Sequence, residues 1–168
     1  MWIVDPLDGT RDFGDPRSAE YAVHVAMVTA DGGAAAAVSL PELGEVYSTD
    51  SVELPEVDRD RRVVVTNRSY GSAGYEVADA LDADLVACGS AGVKAMLVVK
   101  GLVDVYVHDS GLYEWDVCAP ALVASAAGLF VSDLEGRPYV FNQRRPVVRG
   151  VLISRPELAE EALAACRW

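Results

Sequence analysis

Asp5 and Asp8 stand three residues apart with Pro6 between them, at the end of the apolar run Trp2-Ile3-Val4, and Gly9-Thr10-Arg11-Asp12-Phe13 follows at once. A run of β-branched and aromatic residues passing into Asp-Pro and then Asp-Gly-Thr takes the backbone through a rigid bend and leaves both acids at the carboxyl end of a strand. Two carboxylates held so close suit a hard divalent cation such as Mg²⁺, which takes oxygen ligands and supports phosphoryl chemistry. Asp-Pro and Asp-Gly are ordinary turn dipeptides when met singly, so it is the joint pattern that points to a metal clamp. Two later stretches could complete it. Gly89-Ser90-Ala91-Gly92 follows an apolar run, and a Gly/Ser loop at a helix start can receive a phosphate through free backbone N–H groups. Tyr113-Glu114-Trp115-Asp116 sets a third acid before the apolar stretch Val117–Ala127, where by itself Asp116 reads as a plain N-cap.

These groups need elements to position them. Tyr21–Val28 reads as a buried strand, Asp31-Gly32-Gly33 as a hairpin turn, Ala34–Leu40 as the returning partner, and Glu45–Thr49 as a further short strand, which predicts antiparallel sheet. His24 lies mid-strand among apolar neighbours and reads as a sheet residue, not a ligand. The polar, acidic stretch Asp50–Arg62, broken by Pro55, is a surface connection. Beyond it come a strand (Arg62–Thr66), a helix (Ser72–Leu81) and a strand (Asp84–Cys88), spaced as a right-handed parallel unit. Ser90 is the expected N-cap of a helix closed by Gly101, and Val103–His108 the next strand. Asp116 then caps a helix ended by Gly128, with Pro120 in its first turn. Leu129–Ser132, a hairpin around Glu135–Pro138, strands at Tyr139–Phe141 and Val151–Ile153, and a last helix opened by the capping box Ser154-x-x-Glu157 complete the chain.

Size and composition exclude several classes. The chain has 168 residues, half of them hydrophobic, and a net charge of −12. That suffices for one domain with a core, and the acidity speaks against a nucleic-acid polymer as partner, because phosphate backbones are held by clustered Lys and Arg. No apolar run approaches the ~20 residues that span a bilayer, and the start lacks the pattern of a signal peptide, so no membrane partner and a cytoplasmic location are expected. Cys88, Cys118 and Cys166 are scattered and form no CxxC, which leaves zinc and disulfide frameworks without support. There is no internal repeat.

The block Asp5-Pro6-Leu7-Asp8-Gly9-Thr10 resembles the DP(I/L)DGT signature of the inositol monophosphatase-like family of Mg²⁺-dependent, lithium-sensitive phosphatases. Trp115-Asp116 with Ala119 and a helix running to Gly128 is similar to that family's second signature, and Gly89-Ser90-Ala91-Gly92 falls between the two in the correct order. The resemblance covers essentially the whole chain. It implies a layered α/β sandwich, with 1–60 the remainder of an N-terminal antiparallel-sheet subdomain and 61–168 a C-terminal α/β subdomain, together one phosphatase domain. It implies two or more Mg²⁺ ions, with Asp5, Asp8, Asp116 and the Leu7 carbonyl as ligands, Asp5 as the bridge, and Gly9 and Thr10 receiving the phosphate. Two ions ~3.5–4 Å apart neutralise a phosphate, activate a water and stabilise the departing alkoxide.

Within the family, Arg11-Asp12-Phe13 is similar to the Lys/Arg-Glu-Phe of 3'(2'),5'-bisphosphate nucleotidases of the CysQ type. Lys94 matches a lysine of those nucleotidases, and His108 stands where relatives place a basic residue on nucleotide phosphate. Inositol phosphatases have an acid one residue later, and here that residue is Asp109. The resemblance therefore implies cleavage of 3'-phosphoadenosine 5'-phosphate to AMP and phosphate, a by-product-clearing step of sulfate assimilation, with Gly9, Thr10, Arg11, Gly89, Ser90, Lys94, His108 and Asp116 around the substrate. Phosphatases of inositol phosphate, other sugar phosphates or histidinol phosphate are the alternative, and a non-catalytic metal- or nucleotide-binding remnant is the alternative of another class. Homodimers are common in the family.

Members usually carry two helices and a β-hairpin before the Asp-Pro block. That region supplies a Glu-Glu motif for the first Mg²⁺ and an acid that orients water together with the residue matching Thr10. No such residues precede Asp5 here, so the expectation is an N-terminally truncated chain, weakly active or inactive and of low stability.

Overall fold

Two sheets form in succession along the chain. In the computed structural model, which describes residues 1–29, 34–68 and 72–166, the first sheet is antiparallel, with β1 (Trp2–Asp8), β2 (Ala22–Val28), β3 (Ala34–Leu40) and β4 (Glu45–Ser48) in sequence order. The second is mixed and joins β5 (Val63–Asn67), β6 (Asp84–Cys88), β7 (Val105–Tyr113), β8 (Phe130–Ser132) and β9 (Val147–Ser154) in the order β6-β5-β7-β9-β8. Strand β5 lies parallel to both β6 and β7, and β9 is antiparallel to its neighbours β7 and β8.

Helices α3 (Ala91–Val99) and α4 (Glu114–Ala126) are packed between the sheets. Their sequences, Ala-Gly-Val-Lys-Ala-Met-Leu-Val-Val and Glu-Trp-Asp-Val-Cys-Ala-Pro-Ala-Leu-Val-Ala-Ser-Ala, have no continuous polar face. A helix apolar nearly all round is stable only when covered on several sides. One core therefore runs from Ala22, Ala26 and Val38 of the first sheet through Met96, Val98 and Val123 to Val65, Tyr106 and Ile153 of the second. Helices α2 (Ala73–Ala80) and α5 (Ala159–Ala165) cover the far face of the mixed sheet, against Val64, Val105, Val107 and Leu152. This is a layered α/β architecture. The outer face of the antiparallel sheet bears exposed Trp2, Val4 and Val25, while its small residues Ala22, Ala26 and Ala36 face α4 and α3. No helix among the described residues is long and apolar enough to cross a membrane.

Two irregularities of register position the site. Asp5 pairs with His24 and Asp8 with Ala22, so three steps on β1 oppose two on β2. In a regular strand, residues three apart point to opposite faces, and one extra residue restores the same face. The bulge thus turns both acids toward α4. In β7, His108 pairs with Val151 and Gly111 with Arg149, a second three-against-two step.

Several local expectations are corrected. The first strand does not end at Asp5-Pro6 but runs on to Asp8, and a short α1 (Thr10–Phe13) follows Gly9, whose φ is 78°. The expected turn at 31–33 lies outside the described residues. The N-cap of α4 is Tyr113, and Asp116 is the third helical residue, accepting the Tyr113 N–H at 2.7 Å in a capping box. Tyr139–Phe141 is not a strand; β9 supplies the neighbour of β8 instead, and the Tyr139 hydroxyl donates to the Ser132 carbonyl at 2.6 Å and the Gly150 carbonyl at 3.0 Å. Ser154 does not cap the last helix: Arg155 precedes a 3₁₀ turn at Pro156–Leu158, because Pro156 restricts the residue before it to extended backbone.

Candidate active site

The predicted acids converge. One carboxylate oxygen from each of Asp5, Asp8 and Asp116 lies within 4.8 Å of the other two. Each carboxylate also accepts hydrogen bonds from the protein. Asp5 Oδ1 accepts the Leu7 N–H at 3.0 Å, Asp116 Oδ2 accepts the Tyr113 N–H, and Asp8 Oδ2 accepts the Ser90 hydroxyl and the Gly92 N–H, the latter at 2.8 Å. Asp5 and Asp8 are buried. Burial pushes the Asp116 carboxyl up to about 6, with Asp8 and Asp5 adding to the shift and the Tyr113 hydrogen bond opposing it. Neither Lys nor Arg forms an ion pair with the three acids among the described residues. A hard, oxygen-only donor set with uncompensated charge fits a Mg²⁺-like cation, which would reverse the rise at Asp116. The Leu7 carbonyl accepts the Thr10 hydroxyl at 3.0 Å, so Thr10 is tied to the same turn.

From Gly9, the residue after Asp8, begins the lining of a basin of about 360 Å³, which also includes Thr10, Arg11, Asp12, Asn67, Arg68, Gly89, His108 and Ser110. It opens at the carboxyl ends of β5, β6 and β7. The chain leaves β5 through α2 on one face and returns from β6 to β7 through α3 on the other, so β5 marks a topological switch point, where α/β sheets hold ligands. A larger groove of about 560 Å³, along α2 and β6, contains none of the predicted site residues.

Five predicted substrate residues, Gly9, Thr10, Arg11, Gly89 and His108, line this basin. Gly9 is required twice over: its backbone is left-handed, and a Cβ there would collide with the Glu20 carbonyl. Arg11 is exposed and makes no ion pair among the described residues. His108 Nε2 lies 2.5 Å from the Ser110 hydroxyl, and burial, helped by Lys94, lowers its pKa to about 4, which leaves the ring neutral at physiological pH.

Ser90, Lys94 and Asp116, also expected around the substrate, are absent from the basin lining, and Ser90 and Lys94 are buried. Ser90 is fully buried, caps α3 by accepting the Val93 N–H at 3.0 Å, and donates to Asp8. Lys94 is 1% exposed, and its Nζ donates to the Cys88 and Gly89 carbonyls, each at 3.1 Å, 5.3 Å from the Tyr106 ring centre. Burial lowers its pKa. A side chain on the first turn of a wholly buried helix bends back to the strand end it leaves, so Lys94 shapes the Gly89 loop.

Two further residues, Arg68 and Glu20, carry no expectation from the sequence. Arg68, just after β5, pairs with Asp12 and with Glu20, the latter at 2.5 Å, and Glu20 Oε2 also accepts the Gly89 N–H at 2.6 Å. The available signal was position: a charged residue directly after a buried parallel strand stands where ligands bind. His24 meets Asp8, and only the three-dimensional arrangement reveals it.

The family comparison is decisive at this point, because the sequence pattern of the inositol monophosphatase family matches residues 1–168. The chain belongs to the inositol monophosphatase family. A 3'-phosphoadenosine 5'-phosphate phosphatase of Mycobacterium bovis is 39% identical over 98% of this chain and 66% of its own length. The 3'(2'),5'-bisphosphate nucleotidase CysQ of Escherichia coli is 29% identical over 85% of this chain and 63% of its own. Among solved structures, the Thermotoga maritima IMPase superposes with a TM-score of 0.79 at 22% identity, covering 98% of this chain and 67% of that one. The chain thus spans about two thirds of the length of these relatives, and the inositol monophosphatase fold is common to them.

Proposed function

We propose that this chain carries the Mg²⁺ site and phosphate basin of a phosphomonoesterase acting on 3'(2'),5'-bisphosphate nucleotides, with 3'-phosphoadenosine 5'-phosphate as substrate and AMP and phosphate as products. The observation that carries the reading is the convergence of Asp5, Asp8 and Asp116, with Gly9 and Thr10, which directly follow Asp8, lining a basin that also holds Arg11 and Arg68. Bound Mg²⁺ would supply charge neutralisation and an activated water. Asp5, Asp8 and Asp116, with the Leu7 carbonyl, would hold it. Gly9 and Thr10 would receive the scissile phosphate, and the two guanidiniums would attract the second one, since a planar guanidinium matches phosphate oxygens in pairs. Neutral His108 can donate or accept one hydrogen bond there but adds no charge.

The nucleotide reading is favoured over inositol phosphate by Asp109. Its Oδ2 accepts the Ala73 N–H at 3.1 Å at the start of α2, so this acid is committed to the fold and is absent from the basin wall. The names of the mycobacterial and CysQ relatives support the same choice.

The test is phosphate release by the purified chain, and by a form extended at its N-terminus to the relatives' length, from 3'-phosphoadenosine 5'-phosphate and from inositol 1-phosphate, with Mg²⁺ and with or without Li⁺. Preference for the nucleotide, dependent on Mg²⁺ and inhibited by Li⁺, is expected of the active form. Preference for inositol phosphate would replace the substrate, and release unaffected by chelation would remove the metal from the reading.

A further inference from the structure

His24 is fully buried, and its two ring nitrogens face two different parts of the acid cluster. Nδ1 lies 3.1 Å from the Trp115 carbonyl in the first turn of α4, one residue before Asp116. A carbonyl oxygen only accepts, so Nδ1 carries hydrogen. Nε2 lies 3.4 Å from Asp8 Oδ2 and has no hydrogen-bond partner. Buried polar atoms without partners are rare in folded proteins and call for a reason.

The space for the ring is made by Gly92, where any Cβ would collide with Nε2. The same Gly92 donates its N–H to Asp8 Oδ2, and Ser90 donates its hydroxyl to that oxygen. Asp8 Oδ2 is therefore drawn toward α3 by two donors and blocked on another side by a rigid ring whose far edge is anchored on α4. The ring spans from β1, which carries Asp8, to the helix turn that carries Asp116.

We propose that His24 is a positioning residue, whose imidazole, wedged between Asp8 and the Trp115 carbonyl, sets the separation at which Asp8 and Asp116 reach one cation. The inference rests on the reading of Asp5, Asp8 and Asp116 as a cation site. Outer-shell partners of metal ligands fix ligand orientation, and their loss typically weakens metal affinity by about tenfold to a hundredfold. His24→Leu keeps an apolar body but has neither polar edge, whereas His24→Gln keeps the length and one amide.

The experiment is a titration of the whole chain with Mn²⁺ alone, read by electron paramagnetic resonance, alongside thermal unfolding without metal. His24→Leu is expected to bind Mn²⁺ about tenfold to a hundredfold more weakly, and His24→Gln to recover most of that loss. A packing role alone would lower the metal-free unfolding midpoint while the folded protein kept its affinity. A folded His24→Leu chain binding Mn²⁺ within twofold of the parent would overturn the proposal. Should His24→Leu fail to fold, His24→Gln decides, and a loss as large as about a hundredfold in that variant overturns it. A parent chain that binds no Mn²⁺ sinks the cation-site reading itself, an outcome distinct from equal binding by parent and variant.

Discussion

The acid corner and the basin wall lie side by side and handle charge in opposite ways. At the corner, Asp5, Asp8 and Asp116 converge with no Lys or Arg paired to them among the described residues, and the Asp116 carboxyl is pushed up to about 6. On the wall, Asp12 and Glu20 are also acids in close proximity, yet Arg68 lies between them and pairs with both. One group of like charges is left for an external cation to complete, and the other is completed by the chain. What separates a candidate metal site from an ordinary charged cluster is thus the missing internal counter-charge.

The strongest way to break this contrast is to neutralise the corner. Asp8→Asn should lower Mn²⁺ affinity by at least about a hundredfold, since it removes a ligand and not merely its support. Asp116→Asn should lose the metal too, and it should raise the unfolding midpoint of the metal-free protein at neutral pH. Its carboxylate pKa is raised in the folded state, so ionisation above about 6 works against folding until a cation arrives. Calorimetry with and without Mg²⁺ checks both signs, and a lowered metal-free midpoint would end the comparison.

Next in size is Lys94→Met, which leaves the Cys88 and Gly89 carbonyls without their shared donor. Chemical denaturation should show a loss of about 2 kcal/mol, and the Gly89 loop should become more open to hydrogen exchange. Arg68→Ala acts on the wall alone. It should lower metal-free stability, the reverse of Asp116→Asn, and raise KM for the bisphosphate about tenfold in the active form, equivalent to about 1.4 kcal/mol. A monophosphate control should change much less.

Acid probes the basin wall through His108. Burial lowers the His108 pKa to about 4, so between that value and the ordinary ~6.5 the unfolded chain binds more protons than the folded one. Its contribution to stability is complete above the unfolded value and is lost as pH falls through this window. His108→Asn should flatten the decline of the urea midpoint over that range, and an unchanged slope would show that His108 is not the group responsible.

Much of the site was legible along the chain because its parts are local. Asp5-Pro6-Leu7-Asp8-Gly9-Thr10 and Trp115-Asp116 are short motifs, and the buried helices and strands follow from apolar runs whose length and punctuation are read directly. The helix carrying Asp116 begins three residues earlier than an Asp116 N-cap would place it, because the Asp116 carboxylate reaches back to the Tyr113 N–H from the third helical position and only the backbone geometry shows this. A loop sequence does not reveal which way its side chains turn, and only the structure shows Ser90 and Lys94 buried and bonded within the fold.

The sequence by itself carried the acid motifs and the succession of strands and helices, because motif, composition and periodicity are properties of single segments, and the layered α/β class came with the family resemblance that those motifs carry. Only the tertiary structure decided which groups share a space. The bulge that brings residues three apart to one face of β1 depends on the register with β2. The pairing of Arg68 with Asp12 and Glu20, and the wedge of His24 between Asp8 and α4, join residues 91 positions apart or fewer through packing that no local pattern encodes. The separation between a turn and a metal corner is set by such contacts, since a cation site requires charges to meet at a few ångströms.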